Sequence, residues 1–144
     1  MKLKQLSVFL ENRPGHLSHV YEVLAEAEIN IVTMTLADTS EFGILRLIIR
    51  DWQRAKQVLE AASFTVNTTD VMAIEVADEP GGLGKVLKSL EGSGLSVEYM
   101  YFFTGKSKQH ALIVIRFDDP DRASVILTSV DVEILSATEF YAEA

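Results

Sequence analysis

The apolar residues of this chain follow two rhythms. Leu17, Val20, Tyr21 and Leu24 recur at i, i+3, i+4 and i+7, and so do Leu83, Val86, Leu87 and Leu90. Ala55, Val58, Leu59 and Ala62 repeat the spacing, as do Ala123, Ile126, Leu127 and Val130. Each set lays one apolar stripe along a helix, so four amphipathic helices are expected. Between them lie runs rich in β-branched and aromatic residues: Leu6–Leu10, Ile31–Ala37, Ile44–Ile49, Phe64–Thr68, Met72–Val76, Val97–Phe103, Ala111–Phe117 and Val132–Leu135. These read as strands. Turn signals separate them, notably Asp38-Thr39-Ser40 and Thr104-Gly105-Lys106-Ser107-Lys108.

The pattern is a repeat. Displaced by 66 positions, Pro14-Gly15-x-Leu17 falls on Pro80-Gly81-x-Leu83, Val20 on Val86, Leu24 on Leu90, Ile31 on Val97 and Ile49-Arg50 on Ile115-Arg116. Two extra residues then bring Arg54-Ala55 opposite Arg122-Ala123. Each half therefore has the order β-α-β-β-α-β. The fold class expected is α+β: two tandem ferredoxin-like modules, residues 1–70 and 71–144, with helices on one face of each antiparallel sheet. A half of roughly 70 residues is marginal as an isolated core, and pairing the two sheets side by side would bury more surface and hide an edge from each.

The face away from the helices also carries information. Arg46 and Arg116 are expected there, with Ile44, Ile48, Leu112, Val114 and Phe9 as neighbours. Two readings of such an oily face stand: ordinary surface apolar area, or a homodimer interface.

Composition narrows the function classes. Hydrophobic residues make up 48% of the chain, enough for a core. Residues 1–70 carry seven basic and nine acidic side chains, net −2; residues 71–144 carry six and twelve, net −6. An acidic chain without a basic cluster repels phosphate backbones and anionic membranes, so neither nucleic acid nor membrane is an expected partner. No apolar run has membrane-spanning length and no export signal is evident, so a cytoplasmic address is expected. The absence of cysteine removes disulfides, thiolate metal sites and thiol nucleophiles.

Candidate chemistry sits in Glu11-Asn12-Arg13-Pro14-Gly15-His16-Leu17, answered by Asp78-Glu79-Pro80-Gly81-Gly82-Leu83. In each, a strand ends, a side-chain oxygen follows, and Pro-Gly opens a helix. Proline suits a first helical turn, glycine permits close approach, and the helix start offers unpaired N–H groups to an anion such as a carboxylate. Asn12 or Asp78 nearby can accept from an ammonium group. Together these describe a site for an amino acid zwitterion. The plainer reading makes Asn12 and Asp78 simple helix caps.

At these residues the chain resembles the ACT domain family, ligand-sensing modules of amino acid metabolism, over nearly its whole length as two copies. Glu11-Asn12-Arg13-Pro14-Gly15 is similar to the first-loop motif of the serine-sensing domain of phosphoglycerate dehydrogenase, and Ile29-Asn30-Ile31 to that domain's entry into its second strand. The resemblance implies a free amino acid held between adjacent modules by a first-loop Asn or Asp and a second-strand Asn. Asn12 and Asn30 match in the first copy. In the second, Asp78 matches in kind, Ser96 replaces the asparagine and Val97 follows it. Leu10 stands where the serine sensor has a histidine. The expected ligand-binding set is thus Asn12, Arg13, Pro14, Gly15, His16, Leu17, Asn30 and Ile31 with Asp78, Pro80, Gly81, Gly82, Leu83, Ser96 and Val97. The favoured pocket uses Asp78, Gly81, Gly82 and Leu83 with Asn30 and Ile31, since Gly82 leaves space where His16 places an imidazole. Tyr99, Met100 and Tyr101 either touch the ligand side chain or pack the module interface.

Other chemistry is thinner. His16 and His19 lie at i, i+3 without a third ligand, so surface histidines are expected rather than a metal pair. Glu11 and Glu79 lack an activated nucleophile and read as solvated acids. Gly81-Gly82-x-Gly84 lacks phosphate-loop spacing. No catalytic residue, metal or cofactor is expected. The leading reading is a stand-alone amino-acid-binding regulatory protein, a homodimer acting on a metabolic enzyme target. The second is a regulatory subunit, because Leu6–Asn12 and Leu17–Val20 are also similar to the small subunit of acetolactate synthase. A small hydrolase on the same fold is the third.

Overall fold

The computed structural model describes residues 1–38, 41–103 and 110–143. The Thr104–Lys108 turn signal lies outside them, as do Thr39 and Ser40. The elements run β1 (Leu3–Glu11), α1 (His16–Glu26), β2 (Thr33–Asp38), β3 (Phe42–Ile48), α2 (Trp52–Ala61), β4 (Thr65–Ala77), α3 (Gly82–Ser89), β5 (Val97–Phe103), β6 (His110–Phe117), α4 (Pro120–Ser129), β7 (Glu133–Leu135) and α5 (Ala137–Glu143). The chain forms two compact units, Lys4–Thr69, and Asp70–Ala144 with Met1–Leu3. The expected strands Phe64–Thr68 and Met72–Val76 are instead one continuous strand, β4, which runs through Thr69 and Asp70. Its threonines are β-branched and suit a half-exposed strand, which polarity alone does not reveal.

In the first unit the strand order is β2-β3-β1-β4, with β4 contributing Thr65–Thr69. The antiparallel register sets Val8 against Leu45 and Leu6 against Leu47. Successive side chains point to opposite faces, so Leu6, Val8, Leu10, Leu45, Leu47 and Ile49 share one face. Val20 and Leu24 of α1 and Ala55 and Leu59 of α2 pack on it. The second unit repeats this with order β7-β4-β6-β5. Met72, Ile74, Val76, Ile113, Ile115 and Phe117 form the sheet side of its core, and Val86, Leu90, Ala123 and Leu127 the helix side.

The repeat extends to details that apolar spacing does not encode. Asp51 caps α2 by accepting from Arg54 N at 3.4 Å, and Asp119 caps α4 by accepting from Arg122 N at 3.1 Å. Positive φ angles recur at equivalent chain exits, Glu28 (55°) with Gly94 (79°) and Ser63 (70°) with Asp131 (59°).

The outer face differs from expectation in one respect. Arg46 and Arg116 do lie away from the helix-side cores, paired in register with Ser7 and Tyr99 respectively. Arg116 donates to the Asp70 carbonyl at 2.8 Å and pairs with Glu98 at 3.4 Å. In the second unit, however, the chain supplies a cover for this face. Phe103 stands opposite Leu112 there, and its ring lies 5.0 Å from that of Phe140 in α5. Phe140 is fully buried, and Leu112 and Val114 are buried too. No second chain is needed to bury them. Helix α5 is too short to show helical periodicity, but Ser136 and Glu139 form a capping box. Ser136 N donates to Glu139 Oε2 at 2.8 Å and Glu139 N to Ser136 Oγ at 3.2 Å.

Phe140→Ala is expected to lower the unfolding free energy by about 3–5 kcal/mol, and Ser136→Ala by about 1 kcal/mol. Urea denaturation followed by circular dichroism measures both.

Candidate functional site

Each Pro-Gly pair forms a turn just ahead of a helix rather than the helix's first turn. Gly15 has φ 83° and ψ −14°, and Gly81 has φ 83° and ψ −1°. Arg13 O accepts from His16 N at 3.4 Å, and Glu79 O from Gly82 N at 3.1 Å. Proline second and a left-handed glycine third make these type II turns. The glycines are thus required by the backbone angle.

The capping reading of Asn12 and Asp78 fails, since no side chain caps either α1 or α3. The helical ladders begin with His19 N on Gly15 O and Lys85 N on Gly81 O. The amides of Leu17 and Ser18, and of Leu83 and Gly84, find no acceptor among the described residues. Those N–H groups and the helix dipole favour an anion.

In the first unit this loop borders a cleft of about 280 Å³ lined by Leu10, Glu11, Asn12, Arg13, Leu17, Leu36, Ala37, Asp38 and Gly43. The expected residues Asn12, Arg13 and Leu17 are among them. Leu36, Ala37, Asp38 and Gly43 were not expected. They arrive through strand order: β3 lies beside β1, so Gly43 opposes Leu10, and the end of β2 lies beside Gly43. Behind the turn a second hollow of about 260 Å³ is lined by Arg13, Pro14, Gly15, His16 and His19. Arg13 Nε pairs with Glu11 Oε2 at 3.2 Å, both largely exposed. Elsewhere on α1, burial raises the Tyr21 hydroxyl above its ordinary pKa, and that hydroxyl donates to Met34 Sδ at 2.8 Å. The rings of His16 and His19 lie 5.1 and 5.4 Å from that of Phe64.

Other expected residues lie elsewhere. Asn30 is exposed and its Oδ1 accepts from Ile31 N at 3.0 Å; neither residue lines the cleft. Ser96 is exposed and donates its amide to Asp118 Oδ1 at 2.9 Å, and Val97 is 37% exposed. Asp78, Pro80 and Gly81 are exposed, while Leu83 is half-buried against the second core. Gly82 does not leave space for a ligand. It is buried, and a methyl group there would collide with the Ala77 carbonyl, so its missing side chain admits the helix start to the end of β4. Of the three residues on β5, Met100 is opposite Ile115 on the helix side, whereas Tyr99 and Tyr101 pair with Arg116 and Val114 on the other face.

A family model described as an ACT domain pair matches residues 1–142. The chain belongs to the ACT domain family. Among solved structures, protein BT0572 from Bacteroides thetaiotaomicron is 41% identical, with 98% of this chain and 96% of that one covered and a TM-score of 0.89. The ligand-free regulatory subunit of aspartate kinase from Thermus thermophilus is 16% identical over 88% of this chain and 89% of its own, with a TM-score of 0.62. Clostridium acetobutylicum aspartate kinase is 11% identical over 89% of this chain and 32% of its own, with a TM-score of 0.56. The last two likenesses are of fold. A comparison with curated proteins returned no match. In this ACT pair, no helix among the described residues is long and apolar enough to cross a membrane.

Gly15→Ala and Gly81→Ala are each expected to cost about 1–2 kcal/mol from the left-handed angle alone. Gly82→Ala should cost more than either, because it adds a collision. Thermal or urea unfolding of the three variants gives the ranking.

Proposed function

We propose that this ACT pair is a regulatory module that binds a free amino acid at its first loop and is not itself an enzyme. The observation that carries the reading is the cleft in which Asn12 lies beside the uncapped start of α1. A ligand carboxylate would take the Leu17 and Ser18 amides, and the Asn12 side-chain oxygen would take its ammonium group. Leu10, Leu17 and Leu36 would meet the apolar part of its side chain. Asp78 and the amides of Leu83 and Gly84 repeat the same elements at the second loop, with Asn30, Ile31, Ser96 and Val97 as further candidates beyond the cleft.

Binding regulates only if the ligand prefers one conformational or assembly state over another. The apolar side chains of Met34, Leu36 and Phe42, about half exposed along the β2–β3 hairpin, support assembly with a second copy or with an enzyme subunit. The Thermus thermophilus fold neighbour, a regulatory subunit of aspartate kinase, lends the subunit reading its support. A cytoplasmic setting fits a ligand drawn from amino acid metabolism.

Calorimetry of the intact chain against each of the twenty amino acids tests the reading. At least one is expected to bind, and Asn12→Ala should weaken it about tenfold or more, the cost of leaving a charged partner unpaired. Absence of heat with every amino acid at millimolar concentration would remove the proposal.

A further inference from the structure

His16 opens α1, and its ring occupies the position where the second unit has only Gly82. Its Nδ1 lies 2.9 Å from the Glu11 amide nitrogen and 3.4 Å from the Glu11 carbonyl oxygen. An amide N–H can bond only to an imidazole nitrogen that keeps its lone pair, so the shorter contact requires Nδ1 without a proton, whereas a bond to the Glu11 carbonyl requires Nδ1–H. The Glu11 carbonyl is already engaged. It accepts from Arg13 N at 2.8 Å, the bond that folds Asn12 and Arg13 against the end of β1.

We propose that His16 is a positioning residue whose protonation reshapes the first loop, making binding at the first cleft proton-linked. This rests on the ligand site proposed above only for its binding consequence; the loop switch stands on the hydrogen bonds themselves. When a proton from solvent adds to Nδ1, the Glu11 N–H loses its acceptor. The new Nδ1–H then turns to the Glu11 carbonyl and competes there with Arg13 N. Asn12 and Arg13, which line the cleft, sit between those two bonds.

The charged and titratable groups around the ring are few among the described residues. Glu11 of β1 pairs with Arg13 of the loop at 3.2 Å, and Glu22 of α1 lies 3.6 Å from His19 Nδ1. The segment between α2 and β4 contributes Phe64, uncharged and stacked on both imidazoles. Each nearby carboxylate thus already faces a cationic or titratable partner. His19 is the one other imidazole in the hollow, so a His19→Gln background isolates His16. The matching loop bond of the second unit, Glu79 N to Ala77 O at 2.9 Å, forms with Gly82 in place of His16, while His110 stands opposite Ala77 on β6.

The experiment uses the full chain, labelled with ¹⁵N, in nuclear magnetic resonance from pH 8 to pH 5, the range in which imidazoles change charge. The His16 ring is expected as the Nε2–H tautomer at pH 8. Exchange of the Glu11 amide, corrected for its intrinsic pH dependence, should accelerate about tenfold by pH 5. His16→Asn retains an acceptor oxygen in the Nδ1 position but cannot titrate, and should stay protected throughout. His16→Phe keeps the stack on Phe64 without an acceptor and should be unprotected throughout. An Nδ1–H tautomer at pH 8, pH-independent Glu11 protection in the unmodified chain, or an Asn variant as pH-sensitive as the parent would each overturn the switch. Calorimetry with the twenty amino acids at both pH values reads the binding consequence. Affinity should fall roughly tenfold at pH 5, about 1.4 kcal/mol, and His16→Asn should abolish that fall. Equal affinity at both pH values would overturn the linkage, whereas no heat from any amino acid would remove the ligand site and leave the resonance data to judge the loop.

Discussion

The backbone angle at Gly15, repeated at Gly81, is the constraint from which the rest of each unit follows. At φ 83° glycine avoids the left-handed backbone strain that a side chain would bring, and that angle lets the chain reverse within four residues of the strand end. The reversal brings α1 down on the face of β1 and β3, where Val20 and Leu24 complete a core of leucines and valines. It also decides what is left over. Because the turn, and not a side chain, delivers the chain into the helix, the first helical amides remain open beside Asn12. Packing and candidate binding surface thus come from one local geometry.

Most of the architecture is legible in the amino-acid pattern because burial is one-sided. The four stripes at helical spacing correspond to α1 to α4, and the strand runs to β1 to β7. The misses share a cause: they are decided by short polar interactions or by partners distant in sequence. Helix α5 is one buried phenylalanine and a capping box, too little for periodicity to register. The continuity of β4 through Asn67–Asp70 depends on strand pairing that polar composition obscures. At the site, Asn12, Arg13 and Leu17 are readable as a local motif. Leu36, Ala37, Asp38 and Gly43 reach the same cleft only because β3 lies between β1 and β2, a fact of topology. Gly82, expected to open space for a ligand, instead packs closely against the Ala77 carbonyl.

The two copies have kept their frame and diverged at their loops. Turn type, helix caps and left-handed exits recur at matching positions, whereas His16 faces Gly82, Asn12 faces Asp78 and Tyr21 faces Leu87 across the repeat. This division has a physical logic. A changed turn angle or lost cap costs the whole unit, while a changed loop side chain costs only what that side chain touches. Duplicated loops can therefore become chemically unequal on a conserved scaffold, one neutral with an imidazole behind it and one anionic and packed tight.

The chain exits after the helices have a further implication. Glu28, Ser63 and Asp131 hold left-handed angles that side chains disfavour, and only at Gly94 is the matching position occupied by the residue that tolerates it. The fold therefore carries three small, separate reserves of strain at exposed sites away from the cleft. A lineage under thermal pressure could draw on them one at a time, gaining robustness without disturbing the loops where the copies have specialised.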